Sequence, residues 1–152
     1  MQMKPQKALR EVPKMKVRDA MAKTVTSAKK NDKVIDVAKK MKQEDAGFIP
    51  VVEDGGTVIG VITDRDIVIR CIAEGHDPRG ETAEHVMSTQ VTIISPDDDI
   101  EEAGRKMERE EIRRLAVAEK GRLVGVLSHG NLVQATKNKT AEKVTEGVTR
   151  GA

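Results

Sequence analysis

The chain has no tryptophan and no tyrosine, and Phe48 is its only aromatic residue in 152. Aromatic rings therefore cannot fill the core or form a base-stacking platform, which argues against nucleic-acid binding. Cysteine is almost absent as well. With Cys71 alone, no disulfide can close within the chain, and a reducing compartment is expected. No apolar run approaches the roughly 18 residues that a membrane span needs. The basic N-terminus is not followed by the apolar stretch of a secretory signal, so a cytoplasmic protein is expected. An excess of one charge is missing too. Lys and Arg number 27 against 25 Asp and Glu, a net charge of +2, which is too small for a surface that holds polyanions by bulk charge. Ile, Val, Leu, Ala and seven Met must supply the interior.

What the chain does have is a repetition. Residues 17–68 return as residues 83–133: Met21 matches Met87, Val25-Thr26 matches Val91-Thr92, Asp32 matches Asp98, and Lys40-Met41 matches Lys106-Met107. Further on, Val51 matches Val117, Glu53 matches Glu119, and Gly60-Val61 matches Gly125-Val126. The offset is 66 residues as far as Asp54 and 65 after Gly55, as if one turn glycine were deleted. A unit of this size is a supersecondary module that buries its apolar face against its copy. Clefts between the copies are then the place to look for function.

Each copy reads as a helical start, a short strand, a helix, a hairpin and a final helix. Val17, Ala20 and Met21, echoed by Ala83, Val86 and Met87, share one helical face. Thr24-Val25-Thr26 and Gln90-Val91-Thr92-Ile93-Ile94 read as brief strands. Asp32 and Asp98 are N-cap candidates for the next helices. Those helices carry apolar stripes at Val34, Val37, Ala38 and Met41 and at Ile100, Ala103, Gly104 and Met107. Their opposite faces, with Lys39, Lys40 and Lys42, then Arg105, Glu108 and Arg109, are expected in solvent. The hairpins turn at Asp54-Gly55-Gly56 and at Glu119-Lys120-Gly121-Arg122. Pro50 removes a ladder donor, which places its strand at an edge or beside a ligand. The closing helices begin at Thr63 and Ser128. Ile67, Val68, Cys71 and Ile72 form the first one's apolar face, Gly75 ends it, and residues 76–80 read as a connection between copies.

The end of each hairpin holds the only constellation with chemical promise. Thr63-Asp64-Arg65-Asp66 and Ser128-His129-Gly130-Asn131 each place a hydroxyl at a helix start, with an acid or amide three residues on. That spacing fits a capping box. It equally fits a nucleotide site, with helix N–H groups facing phosphate and a carboxylate or amide facing ribose hydroxyls. Gly60 and Gly125 would let the backbone approach a ring. The residues alone fit both readings. His76, His85 and His129 show no metal-ligand spacing, while His129, beside Ser128, is a further candidate for the phosphate position. Cys71 lies on an apolar face and reads as core. No nucleophile–base order appears, so an enzyme is not expected.

The repeat, with an Ile49-Pro50-Val51-Val52-Glu53 strand, a glycine turn and Gly60-Val61-Ile62-Thr63-Asp64-Arg65-Asp66 leading into a helix, resembles the CBS domain. Two in tandem resemble the Bateman module, an adenosyl-ligand sensor. The Gly75-His76-Asp77-Pro78 connection is similar to that of small stand-alone bacterial CBS-pair proteins. The resemblance implies an α/β fold of two β-α-β-β-α repeats, with short sheets backed by helices and a pseudo-two-fold relation. It divides the chain into a flexible basic arm (1–14), a first repeat (15–75), a linker (76–81), a second repeat (82–137) and a flexible tail (138–152). It also implies ligand-binding residues. Asp66 would hold ribose hydroxyls, Thr63 would act at ribose or phosphate with Arg65 beside it, and Thr26, Ile49, Pro50 and Val51 would frame adenine. The matching places in the second copy are Thr92, Leu115, Ala116, Val117, Ser128 and Asn131, with His129 adjacent. Ala116 replaces the usual proline and Asn131 the usual Asp, a departure that weakens the second site. AMP, ADP, ATP or S-adenosylmethionine are the expected ligands, with no catalytic cofactor. A homodimer through the repeat helices and an unidentified regulated protein are the expected partners, and no membrane is involved. The alternative is a ligand-free interaction dimer built from the same repeats.

Overall fold

The computed structural model describes residues 15–138, and they alternate short helices and strands in the same order twice. Helix α1 (Val17–Ala20) is followed by α2 (Val34–Glu44), β1 (Phe48–Val52), β2 (Val58–Thr63) and α3 (Asp64–Ile67), which runs on into a π turn over Val68–Ile72. The second copy comprises α4 (Ala83–Val86), β3 (Ile93–Ile94), α5 (Ile100–Glu110), β4 (Arg114–Glu119), β5 (Arg122–Ser128) and α6 over residues 129–138. This is the expected α/β pair of repeats, with short sheets backed by helices. The basic arm over 1–14 and all but the first residue of the tail lie outside the described residues.

Each sheet centres on its hairpin. β1 pairs antiparallel with β2, and β4 with β5, with the same register irregularity after Val51 and after Val117. The first hairpin turns through Gly55 and Gly56 at φ 94° and 93°, and the second through Lys120 and Gly121 at 53° and 83°. Left-handed backbone is what a tight hairpin turn demands, so the missing residue of the second copy is indeed a turn residue. The two hairpin turns meet, Val58 N–H donating to Gly121 O and Leu123 N–H to Gly56 O at 3.0 and 2.9 Å.

The first strand of each copy is shorter than expected. Thr24-Val25-Thr26 is not a strand, and only Ala28 bridges β1, in parallel with Val51. In the second copy β3 pairs with β4 at both Ile93–Ala116 and Ile94–Val117. The difference has a chemical cause. The residue matching Ala116 is Pro50, which has no N–H to donate to a second bridge. β1 therefore pairs with β2 on one side and meets only the single Ala28 bridge on the other, with Pro50 buried beside the smaller of the two clefts described below.

Several local expectations move by a residue or a face. The N-caps of α2 and α5 are Lys33 and Asp99, while Asp32 and Asp98 instead accept from Lys29 N–H (2.9 Å) and Ser95 N–H (3.1 Å) and hold the preceding turns. Lys40 is not simply solvated: its ammonium donates to Ser27 O at 2.7 Å, as Lys106 does to Ile93 O at 3.1 Å. On α3 and its π turn only Ile67 and Cys71 are buried. Val68, Ile69 and Ile72 stand 55%, 49% and 53% exposed.

The packing of α1 and α4 was not anticipated. α1 joins the core of the second repeat, where Val17, Ala20 and Met21 meet Ile94, Ala103, Met107, Leu115, Val117 and Leu127. α4 joins the core of the first, where Ala83, Val86 and Met87 meet Val34, Val37, Ile49, Ile62 and Cys71 among others. The exchange is symmetric to the atom: Val17 N–H donates to Asp98 O and Ala83 N–H to Asp32 O, each at 2.8 Å. Each repeat's core is completed by the other's opening helix.

Candidate functional site

The exchange leaves two clefts where the repeats face each other. The larger, about 530 Å³, has Thr63, Arg65 and Asp66 of the first repeat on one wall and Gln90, Val91 and Thr92 of the second on the other, with Arg113 and Arg114 at its edge. The smaller, about 210 Å³, reverses the roles: Ser128 and Asn131 come from the second repeat, and Thr24, Thr26, Ile49 and Pro50 from the first. The family resemblance groups Thr26, Ile49 and Pro50 with Thr63 and Asp66. The structure instead pairs the strand residues of each repeat with the helix start of the other.

The helix starts are capping boxes in both clefts. Thr63 N–H donates to Asp66 Oδ2 at 2.8 Å and Asp66 N–H to Thr63 Oγ1 at 3.2 Å. Ser128 N–H donates to Asn131 Oδ1 at 2.9 Å and Asn131 N–H to Ser128 Oγ at 3.0 Å. Each side chain keeps further capacity: Oδ1 of Asp66 lies 3.9 Å from Arg70 Nε, whose guanidinium is anchored on the carbonyls of Val86 and Met87. A cap and a polar contact on the cleft side are therefore compatible on one carboxylate. On the facing walls Thr26 Oγ1 donates to Glu44 at 2.6 Å, and Thr92 Oγ1 donates to Glu110 in the matching place.

Other expected residues fall elsewhere. Val51, Leu115, Ala116 and Val117 are fully buried, so their side chains face the interior. His129 projects from α6 into a groove with Gly104, Met107 and Leu132, away from the cleft that Ser128 lines. Ser128 ends β5 and His129 begins α6, so the strand-to-helix change separates the two. Gly60 and Gly125 do not open onto either cleft as ring-contact points. A Cβ on Gly60 would lie 2.7 Å from Met87 Sδ and 2.9 Å from Ser88 O. One on Gly125 would lie 2.6 Å from Met21 Sδ and 2.9 Å from Ala22 O. These glycines admit the exchanged segments.

Phe48 and Arg114 are not among the residues that the sequence marks. They open β1 and β4 at matched positions, and each lines both clefts. The repeat alignment puts them in register, but an aromatic opposite an arginine carries no pattern that marks a shared wall.

Away from the clefts, burial pushes the Cys71 thiol up, in keeping with a core residue. Glu81 accepts from His85 Nδ1 at 2.7 Å and lies 2.8 Å from His76 Nδ1; the Thr82 N–H and then His85 and His76 hold its carboxyl below the usual range. Among the described residues no group of three or more His, Cys, Asp or Glu side chains is arranged to hold a metal ion, and no helix is long and apolar enough to cross a membrane.

Comparison with known proteins agrees with this architecture. The CBS domain family matches residues 17–72 and again 83–138. The CBS domain-containing protein YhcV of Bacillus subtilis is 37% identical over 126 residues, covering 82% of this chain and 89% of that protein. Hypoxic response protein 1 of Mycobacterium tuberculosis is 31% identical over 117 residues, 77% and 82% of the two chains. The crystal structure of Hypoxic Response Protein I with two coordinated zinc ions superposes with a TM-score of 0.73 at 30% identity, over 79% of this chain and 98% of that one. A CBS domain pair of protein MJ0100, crystallised with 5′-methylthioadenosine and S-adenosylmethionine, shares the fold with a TM-score of 0.74 at 23% identity, over 84% and 99%. With both repeats matched and the two cores completing each other, the chain belongs to the CBS domain family and carries two such domains in tandem.

Proposed function

We propose that this chain is a non-catalytic regulatory module that binds an adenine nucleotide or another adenosyl ligand between its repeats and signals to a partner protein. The observation that carries this reading is the composite wall of each cleft: a hydroxyl and an acid or amide at a helix start of one repeat, opposite a threonine and strand start of the other. The MJ0100 pair, whose structure holds two adenosyl compounds, supports the ligand class. In the larger cleft Asp66 accepts ribose hydroxyls beside Thr63, with Arg65 at the mouth and Thr92 opposite. In the smaller, Ile49, Pro50 and Thr26 face Ser128 and Asn131. Val51, Leu115, Ala116 and Val117 support these walls from behind. AMP, ADP, ATP and S-adenosylmethionine all present the required adenosine.

The test is isothermal titration with AMP, ATP and S-adenosylmethionine, on wild type and on Asp66→Asn. Asparagine keeps an acceptor for the Thr63 N–H, so the cap survives while the charge is lost. Saturable binding that weakens about tenfold in the variant is expected, the worth of one hydrogen bond to a charged group. Absence of heat from every ligand on folded protein would favour the ligand-free dimer.

The dimer has its own support. Val68, Ile69, Ile72 and Val133 are exposed at helix positions, an apolar face suited to a second copy. Sedimentation of Ile72→Glu, which introduces a charge without touching either core, is expected to show a monomer where wild type is a dimer. A ligand that binds two arrangements of this dimer unequally is then able to signal.

A further inference from the structure

We propose that the two clefts sort ligands by charge: the larger takes a phosphorylated adenosyl compound and the smaller an adenosyl compound without phosphate. This rests on the adenosyl reading above and assigns a ligand class to each cleft. Among the described residues, four arginine side chains have no ion pair and no hydrogen bond: Arg65, Arg109, Arg113 and Arg114. Three of the four, Arg65, Arg113 and Arg114, line the larger cleft. A guanidinium without a protein partner is a donor fork still open to a phosphate. Three converging on one space outweigh the carboxylates there, Asp64 and Asp66, the second of which already has Arg70 at 3.9 Å.

The smaller cleft is built the other way. Its only charged lining residues are Arg114 and Glu44, and Asn131 stands where the larger cleft has Asp66. Arg114 is shared. A phosphate in the larger cleft that draws Arg114 to itself leaves Glu44 as the sole charge in the smaller one, where a second phosphate is then repelled and an uncharged adenosyl group is not. At about 210 Å³ against 530 Å³, the smaller cleft also has less room for a phosphate chain. Loss of charge at position 131 thus suits a neutral ligand, and is not merely the decay of a nucleotide site.

The experiment is titration of the full chain with ATP, with uncharged 5′-methylthioadenosine, and with the second on protein saturated with the first. The expected result is one ATP per chain, with methylthioadenosine still binding once to the ATP-loaded protein. The double variant Arg65→Gln/Arg113→Gln, whose side chains support no other contact, is expected to lose at least about tenfold in ATP affinity while methylthioadenosine binding stays within a factor of about two. Two equivalent ATP sites per chain, competition between the two compounds for one site, or equal losses for both in the double variant would overturn the sorting and leave the adenosyl reading standing. Binding of neither compound to folded protein would remove both.

Discussion

Replacing Gly60 by alanine is expected to lower the melting temperature by roughly 2–12 °C, and Gly125→Ala to do the same independently. Neither glycine has a positive φ, so backbone strain is not the reason. The reason is space. The added methyl on Gly60 would sit 2.7 Å from Met87 Sδ and 2.9 Å from Ser88 O. The sulfur can swing aside, because methionine is flexible. The carbonyl cannot, because Ser88 is fixed at both ends of a bridge, Val61 N–H donating to Ser88 O at 3.0 Å and Ser88 N–H to Val61 O at 2.9 Å. The same holds for Gly125 against Ala22 O, where Ala22 and Val126 exchange hydrogen bonds of 2.9 and 3.1 Å. Overpacking of this kind costs about 1–3 kcal/mol, and in a chain of this length each kcal/mol shifts melting by about 2–4 °C. The two positions share no neighbour, so the double variant should show close to the sum. Gly47→Ala is the control. The three atoms nearest its methyl would all belong to the carboxylate of Asp64, Cγ at 2.6 Å, and Asp64 is an exposed side chain that can turn away. A change of about 0.5 kcal/mol or less is expected there. Calorimetry on the three variants separates them; a Gly60→Ala protein as stable as Gly47→Ala would mean that the exchanged segment does not press on β2.

Much of this fold is readable before any coordinates. The capping boxes at Thr63–Asp66 and Ser128–Asn131, the positive φ at Gly55 and Gly75, and the buried stripe Val34, Val37, Met41 all follow from local spacing. The exchange of α1 and α4 does not. Val17 and Ala83 occupy equivalent places in equivalent surroundings, so packing within a repeat or across repeats satisfies the same pattern of apolar residues. Only the chain path distinguishes them. That ambiguity carries into the clefts: Thr26 pairs with Ser128 and Thr92 with Thr63, because each first strand enters from the exchanged helix. The place of Val68 and Ile72, within the core or shared between chains, is left open by the sequence for a different reason. Four apolar residues within six positions look like one face, but with the π turn beneath them only Ile67 and Cys71, one turn apart, point inward.

The exchange also makes a prediction about where the chain can be cut. A fragment ending with the first sequence repeat, residues 15–75, keeps α1 without its receiving core and keeps the first core without α4. It would expose the floor on which Ala83, Val86 and Met87 pack, two of them fully buried. Burial of a Val or Met side chain stabilises by about 1.5–3 kcal/mol each, a large part of the roughly 5–15 kcal/mol that holds a domain together. It would also lose the hydrogen bonds from Ala83 N–H to Asp32 O and from Val34 N–H to Glu81 O that seat α2. Residues 15–75 are therefore expected to show no cooperative thermal transition. A fragment shifted along the chain to residues 23–89 drops the stranded α1 and retains α4, Met87 and the Ser88 bridge to Val61, so that the first core is complete. Although only slightly longer, it is expected to unfold cooperatively, with dispersed amide resonances. If the two fragments behave alike, whether both folded or both unfolded, the opening helices are not what completes the cores. If the second alone folds, the folding unit of this chain is offset from its sequence repeat by one helix, and each cleft is assembled only when two such units close on each other.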